Sequence, residues 1–345
     1  MFRIRYFYHY RKHRNSKVLY YAASYIIYCL PCSLAKIRTN HILSRFGKMD
    51  KDQKEYILSR VNYYNKLSDG TGIPVGKAAD GTEMVSLDKL KLDAVFNGKR
   101  SHSVYVFDTY EYTRFFNQRY KAGFLFGDIT ETPLTPSFVK SRPTEGNNAN
   151  SILLPLNKIR HFTFVNDARK YTDKKNMLIG RAFVNQPHRK KFWEMYFGHP
   201  MCDLGNINKN LPDHPEWLVS PTSVDDHLEY KFILCLEGND VASNLKWVMS
   251  SNSLAVMPKP KYESWYMEDH LIPDYHYVEI KPDYSNLEER LNYYIDHSDE
   301  AQVIINNAHK YVSQFQRKKI ERIIGLMVVN KYFICTGQEK DNKIL

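Results

Sequence analysis

A chain of 345 residues, 43% apolar and 25% charged, with only 15 glycines and 15 prolines, exceeds one ordinary hydrophobic core and excludes collagen, low complexity and wholesale disorder. The net charge of +11 points to a polyanion, yet ten of those charges lie in residues 1–49, which hold no acid before Asp50, so a basic nucleic-acid groove through the folded body is not supported. Five scattered cysteines (Cys29, Cys32, Cys202, Cys235, Cys335) make no disulfide framework at this length and fit a reducing compartment.

The basic residues of the first segment are Arg3, Arg5, Arg11, Lys12, Arg14, Lys17, Lys36, Arg38, Arg45 and Lys48, interleaved with aromatics such as Tyr6, Tyr20, Tyr21, Tyr25 and Tyr28. Cations with rings that favour one apolar and one wet side suit an anionic membrane surface, so residues 1–49 are expected to associate peripherally with one. The uncharged run between Lys17 and Lys36 is read as an interfacial helix, with membrane insertion and packing onto the body as alternatives. Basic flanks on its early side place it on the cytoplasmic face.

From Asp50 to Leu67 the apolar spacing predicts a helix, and Asp50-Lys51-Asp52, formally an Asp-x-Asp, starts that helix instead of ending a strand. Glycine-punctuated loop follows around Asp69–Gly76. Ser103–Asp108 and Gly123–Asp128 read as buried strands around a helix beginning near Tyr110, and His161–Val165 as a further strand. A second series then begins. Strands are expected at Met177–Ile179, Phe232–Leu236, Ser253–Met257 and Tyr277–Ile280, with helices at Lys190–Phe197, Ala242–Ser250, Ser285–Tyr294 and Asp299–Phe315. Ser285 with Glu288 has the form of a capping box. Two βα series with a boundary near Tyr171–Asn176 predict an α/β protein of two Rossmann-like lobes facing a cleft: 50–172, then 173–315, with a terminal helix and tail at 316–345.

In the second series Gly238, in the loop Glu237-Gly238-Asn239-Asp240, lets backbone approach a ligand. The following helix start, with Ser243 and Asn244, would present amides to an anion such as a diphosphate. Lys246, one turn further on, either reaches the phosphates or coats the surface. Gly180-Arg181 and Arg189 offer a second anion site, or else are surface arginines. Glu263, within YESWY, would accept hydrogen bonds from a diol, or is a solvated loop acid.

The stretch from Tyr230 to Leu291 (YKFILCLEGNDVASNLKWVM, then YESWYMEDH, DYHYVEI and KPDYSNLEERL) resembles glycosyltransferase family 90. That family includes bacterial lipopolysaccharide glycosyltransferases, capsule xylosyltransferases and protein O-glucosyltransferases. The likeness reaches back through IGRAFVNQPHR and FGDITETPLTPSFVKSRPTEGNNANSILLPLNKIRHF, and the lipopolysaccharide branch resembles this segment most closely. It implies a GT-B-like fold with a basic, aromatic N-terminal extension. It also implies a donor pocket at Gly180, Arg181, Arg189, Gly238, Asn239, Asp240, Ser243, Asn244, Lys246 and Glu263, with Asn244 where many members carry arginine. Asp128 falls at the family's catalytic base, with Asp108 as its rival. Lys140, Arg142, Arg160 and His161 become candidates for an anionic glycan acceptor.

The expectation is an inverting hexosyltransferase that uses a UDP-sugar, without cofactor or essential metal, on a membrane-borne lipopolysaccharide or related glycan at the cytoplasmic face of the inner membrane. No nucleic-acid partner is expected. The alternative is a binding protein for anionic membrane or nucleic acid on a degenerate Rossmann scaffold.

Overall fold

The structure, a computed structural model, describes residues 13, 15–32, 45–72, 84–90, 103–210 and 213–339. Most of the basic side chains of the first segment (Arg3, Arg5, Arg11, Lys12, Arg14, Lys36, Arg38), the loop around Gly76 and the tail beyond residue 339 lie outside those residues. In chain order the principal helices are α1 (Lys17–Cys29), α2 (Lys51–Tyr64), α3 (Ser103–Thr113), α4 (Pro187–Tyr196), α5 (Leu245–Met249), α6 (Leu287–Asp296), α7 (Ser298–Ser313) and α8 (Lys318–Cys335). The strands are β1 (Met84–Ser86), β2 (Lys121–Leu125), β3 (Ser137–Val139), β4 (Ser141–Pro143), β5 (Ser151–Leu153), β6 (Lys175–Ala182), β7 (Cys202–Asn206), β8 (Tyr230–Leu234), β9 (Leu254–Met257), β10 (Tyr262–Ser264) and β11 (Val278–Glu279).

These elements form two compact units. One holds the described residues of Ser16–Ile159, Lys261–Met267 and Phe315–Leu345; the other holds Arg160–Pro260 and Glu268–Gln314, joined by His13 and Asn15. A single boundary at 172/173 therefore gives way to one at 159/160 and two later returns of the chain. The returns exist because late elements complete the early unit's core.

In that early unit β1, β2, β3 and β5 form a sheet, antiparallel at β1–β2 and parallel thereafter, and β4 pairs antiparallel with β10. Helix α8 is apolar nearly all round, with Ile323, Ile324, Leu326, Met327, Val328, Val329, Tyr332 and Phe333 buried, as a helix in the middle of a core must be. Tyr332 accepts the Gly123 amide at 3.1 Å and donates to the Pro136 carbonyl at 2.9 Å, tying the helix to the sheet. Gly325 admits the Tyr112 ring, which a Cβ would meet at 2.4 Å. The buried Arg60 of α2 is paired with Glu321 of α8, which also accepts from the Trp265 indole at 2.6 Å.

Ser103–Asp108 is not a strand but the first half of α3. Nearly every side chain of that helix is buried, so its apolar run carries no period by which strand and helix could be told apart. His161–Val165 forms no strand either; a helical turn, Lys158–His161, precedes an irregular segment.

Helix α1 lies against α3. Tyr25 and Tyr28 meet the Phe107 ring edge-on at centroid distances of 4.9 and 5.7 Å, and the Arg114 guanidinium donates to the Ile27 carbonyl at 2.8 Å. Its outer face is uncovered, with Val18 73%, Leu19 71% and Ile26 63% exposed. Among the described residues no helix is long and apolar enough to cross a membrane.

The later unit has one parallel sheet in the order β11-β9-β8-β6-β7. Strands β8 and β9 are mostly apolar and buried along nearly their whole length, as strands covered on both faces are, while β6 is buried only at its centre, Leu178–Gly180. Leu291 of α6 and Ile304 and Ile305 of α7 belong to the same core. The capping box expected at Ser285 is absent: Ser285 Oγ bonds Asp283 at 2.9 Å and α6 begins after Asn286. A full capping box occurs instead at Ser223 and Asp226.

Asp108 ties α1 and α3 together, accepting from the Tyr20 hydroxyl at 2.8 Å and the Lys158 amide at 2.9 Å. Burial pushes its carboxyl up to about 6, against the pull of Lys158. Because the folded form holds this proton more tightly, the contribution to stability is complete below the ordinary value of 3.8 and is lost as pH rises through about 6. Asp108→Asn should therefore flatten the fall in stability between those pH values in urea unfolding; identical slopes for variant and wild type would refute this.

Candidate functional site

In the parallel sheet, β6 comes first in the chain, β7 lies to one side of it and β8 to the other. Connections leaving β6 and β8 therefore run in opposite directions, and the crevice outside their carboxyl ends is the topological switch point where ligands of such sheets bind. Two loops meet there: 183–186, ending in α4, and 235–244, ending in α5.

Arg189, on the first turn of α4, bridges them. Its guanidinium donates to the carbonyls of Glu237 (2.8 Å), Phe183 (2.9 Å) and Leu236 (3.0 Å). No carboxylate of the described residues forms a salt bridge with it. Burial, with Arg160 nearby as a like charge, lowers its pKa to about 10, still fully protonated at neutral pH. A partly buried cation beside a second cation, held by neutral carbonyls, is a place where an anion is welcome. The start of α4, ten residues long with proline at its first position, adds the positive end of a helix dipole.

Gly238 sits under this arginine: a Cβ there would meet only the Arg189 Nη2, at 3.5 Å, leaving the backbone open to close approach. Asn239 is exposed and accepts from the Gln186 amide at 2.9 Å, and the His188 ring meets the Glu237 carbonyl at 2.9 Å, so the two loops are cross-tied. Asp240 is buried, and its carbonyl accepts the Gly238 amide at 2.8 Å. Ser243 is half-buried in the turn before α5, and Asn244 donates its side-chain amide to the Leu234 carbonyl at 2.9 Å.

Several expectations change. The helix expected over Ala242–Ser250 is only α5, five residues long, so its dipole is small and the longer α4 supplies the helix start at the switch point. Lys246 does not coat the surface: fully buried, it pairs with Glu268 at 2.6 Å. Arg181 lies within β6 and pairs with Asp203 of β7 at 2.6 Å, also donating to Thr222. Burial would raise the Asp203 carboxyl, but hydrogen bonds from Tyr230 and Arg181 outweigh it and hold it below the usual range. Gly180 makes room for packing, since a Cβ would meet Leu204 at 2.8 Å and Leu234 at 3.1 Å.

In the early unit, Gly127 (φ +123°) ends the strand region, and the half-exposed Asp128 follows it. Lys140, 2% exposed, pairs with Asp128 at 2.5 Å, which joins a residue expected to be a base to one expected to hold the acceptor. Arg142 and Glu263 are both buried and face each other across β4–β10, Nε to Oε1 at 2.7 Å. Arg142 also donates to the Ser151 and Tyr63 carbonyls, and Glu263 accepts from the Tyr63 hydroxyl. As placed, this pair pins two strands together, and Glu263 is a buried acid instead of a solvated loop acid. In the later unit Arg160 is exposed and His161 buried. Asp50 caps α2 by accepting the Gln53 amide at 2.7 Å, and Asp226 serves the capping box.

A parallel sheet with a cationic switch point defines a class of proteins that bind anionic, nucleotide-like ligands. Comparison with known proteins narrows it. Residues 206–329 match the family described as Glycosyl transferase family 90. The chain is 37% identical over 294 residues to the O-glucosyltransferase LpsA of Dichelobacter nodosus, covering 84% of this chain and 87% of that protein. It is also 27% identical over 143 residues to the uncharacterized protein 179R of Invertebrate iridescent virus 6, covering 39% of this chain and 12% of that one. The chain belongs to glycosyltransferase family 90 and is a glycosyltransferase.

Removing one partner of a buried ion pair strands a charge and costs about 3–5 kcal/mol, whereas an apolar replacement of both is near neutral. Lys246→Ala and Glu268→Ala should each destabilise the protein on that scale in chemical denaturation. Lys246→Met combined with Glu268→Leu should recover most of the loss, and a lack of recovery would reject the pair as purely internal.

Proposed function

We propose that the protein transfers a hexose from a UDP-sugar to a lipopolysaccharide or related membrane-borne glycan, inverting the anomeric centre by direct displacement. The later unit is read as the donor-binding lobe and the early unit as the acceptor-side lobe of a GT-B enzyme. Glucose is the sugar to test first, following the name of the Dichelobacter relative. The observation that carries the reading is Arg189, a cation at the switch point with neutral partners and a glycine beneath it.

In this reading the pyrophosphate rests against Gly238 and the start of α4. Asp128, at the position the family resemblance assigns to the base, takes the proton of the acceptor hydroxyl as its oxygen attacks the anomeric carbon. The bond from that carbon to the phosphate oxygen breaks on the opposite face. UDP departs with the bonding pair, its charge met by Arg189 and Arg160. Lys140 holds Asp128 in place. Positive side chains and a helix start supply the countercharge that other glycosyltransferases draw from a metal, so no essential metal is proposed.

Asp128→Asn should retain UDP affinity and lose transfer by about 10²–10⁴-fold, the usual weight of a general base; full activity would reject the assignment. Arg189→Ala should weaken UDP binding about ten- to a hundredfold, the worth of hydrogen bonds to a charged group, and calorimetry giving an unchanged affinity would remove it from the donor site.

We further propose that the enzyme works on the anionic cytoplasmic face of the inner membrane. In support, Val18, Leu19, Ala22 and Ile26 form an exposed, uncharged stripe on α1 within a segment that is basic and free of acids. Leu19→Glu with Ile26→Glu should abolish co-sedimentation with phosphatidylglycerol vesicles while sparing turnover of soluble substrates. Retained sedimentation would place the contact elsewhere.

A further inference from the structure

Resting on the glycosyltransferase reading, we infer a carbohydrate subsite on the later unit, separate from the anion site: a cavity over the carboxyl ends of β6 and β7 that takes one neutral sugar ring. The cavity, about 430 Å³, is lined by Phe183, Asn185, Lys190, Asn208 and Asn210. That lies within the roughly 300–1,000 Å³ of small-molecule sites.

The lining suits a pyranose. Phe183 is 53% exposed, and a phenyl face in water is suited to the C–H face of a sugar ring. Each asparagine amide offers both donors and an acceptor, which matches hydroxyls that donate and accept at once. The one cation, Lys190, already has Asp213 at 3.7 Å. Nothing else in the lining calls for an anion.

The site is also built in advance. Asn206, 1% exposed at the end of β7, accepts the Val184 amide (3.3 Å) and the Asn208 amide (3.0 Å) and donates to the Asn208 carbonyl (2.9 Å). One buried side chain thus fixes both walls. Asn208 donates to Asn185 Oδ1 at 2.7 Å and accepts the Asn210 amide at 3.0 Å, which leaves the Asn185 nitrogen and the Asn210 side chain to a ligand. Phe183 divides the two sites: its carbonyl holds Arg189 on the β8 side, and its ring belongs to the cavity on the β7 side.

The test follows the asparagine side-chain amide signals of the ¹⁵N-labelled full-length protein as methyl glucoside, methyl galactoside or UDP is added. One of the glycosides should shift Asn185, Asn208 and Asn210, and Phe183→Ala and Asn208→Ala should each weaken that binding at least tenfold with UDP affinity within twofold of wild type. Phe183 is exposed and Asn208 only half-buried, so both variants should fold. If the variants lose affinity for UDP-glucose, the ring comes from the donor; if instead they raise only the KM for the glycan, it comes from the acceptor. Shifts caused by UDP alone, or amides silent to both glycosides, would overturn the subsite. A glycoside response without any turnover of UDP-sugars would sink the transfer reading and leave the subsite standing.

Discussion

A charge withdrawn from water must be met by an opposite charge or by several well-placed hydrogen bonds, because leaving it unpaired costs more than most single contacts contribute. Buried cations obey this constraint inside the two units, among them Arg60 with Glu321, Lys140 with Asp128, Arg142 with Glu263, Lys174 with Asp167 and Lys246 with Glu268. The pairs Arg60–Glu321 and Arg142–Glu263 join elements far apart in the chain, so each fixes an arrangement as well as neutralising a charge. Arg189 is met in the second way, by carbonyls alone, and its charge stays uncancelled where two loops converge.

That difference separates scaffolding from chemistry more cleanly than residue type does. Arginine occurs in both groups, and only its partners divide them. The sheet order does the rest. Reversing direction at β6 opens a crevice outside the strand ends, where the first turn of α4 delivers Arg189 and the preceding loop the Phe183 carbonyl that holds it.

The later unit was largely legible in the sequence. Strands β8 and β9 are apolar runs, Pro187 marks the start of α4 and the glycine loop after β8 stands out, whereas β7, carrying Asp203 and Asn206, has no such run. Arg189 and Gly238 could be read for the same reason, since local signals place them at strand ends. The early unit resisted. Helix α3 is buried on every side and so has no period to read, and β4 and β5 are three residues each. The partners of Arg142 and Lys246 could not be read because they arise from pairings 121 and 22 residues away, and contacts of that kind leave no trace in local spacing. Asn206 had no signal at all, being one asparagine among many.

The described chain passes between the two units five times, at 15/16, 159/160, 260/261, 267/268 and 314/315. Synthesis therefore releases Arg142 some 120 residues before Glu263 exists, and the sheet that waits for α8 waits longer still. The early half emerges with an uncompensated guanidinium and an open apolar face, and it closes only once α8 has left the ribosome. Neither half can be cut out as a contiguous fragment without taking an essential strand or helix from the other, so the molecule is built to mature all at once.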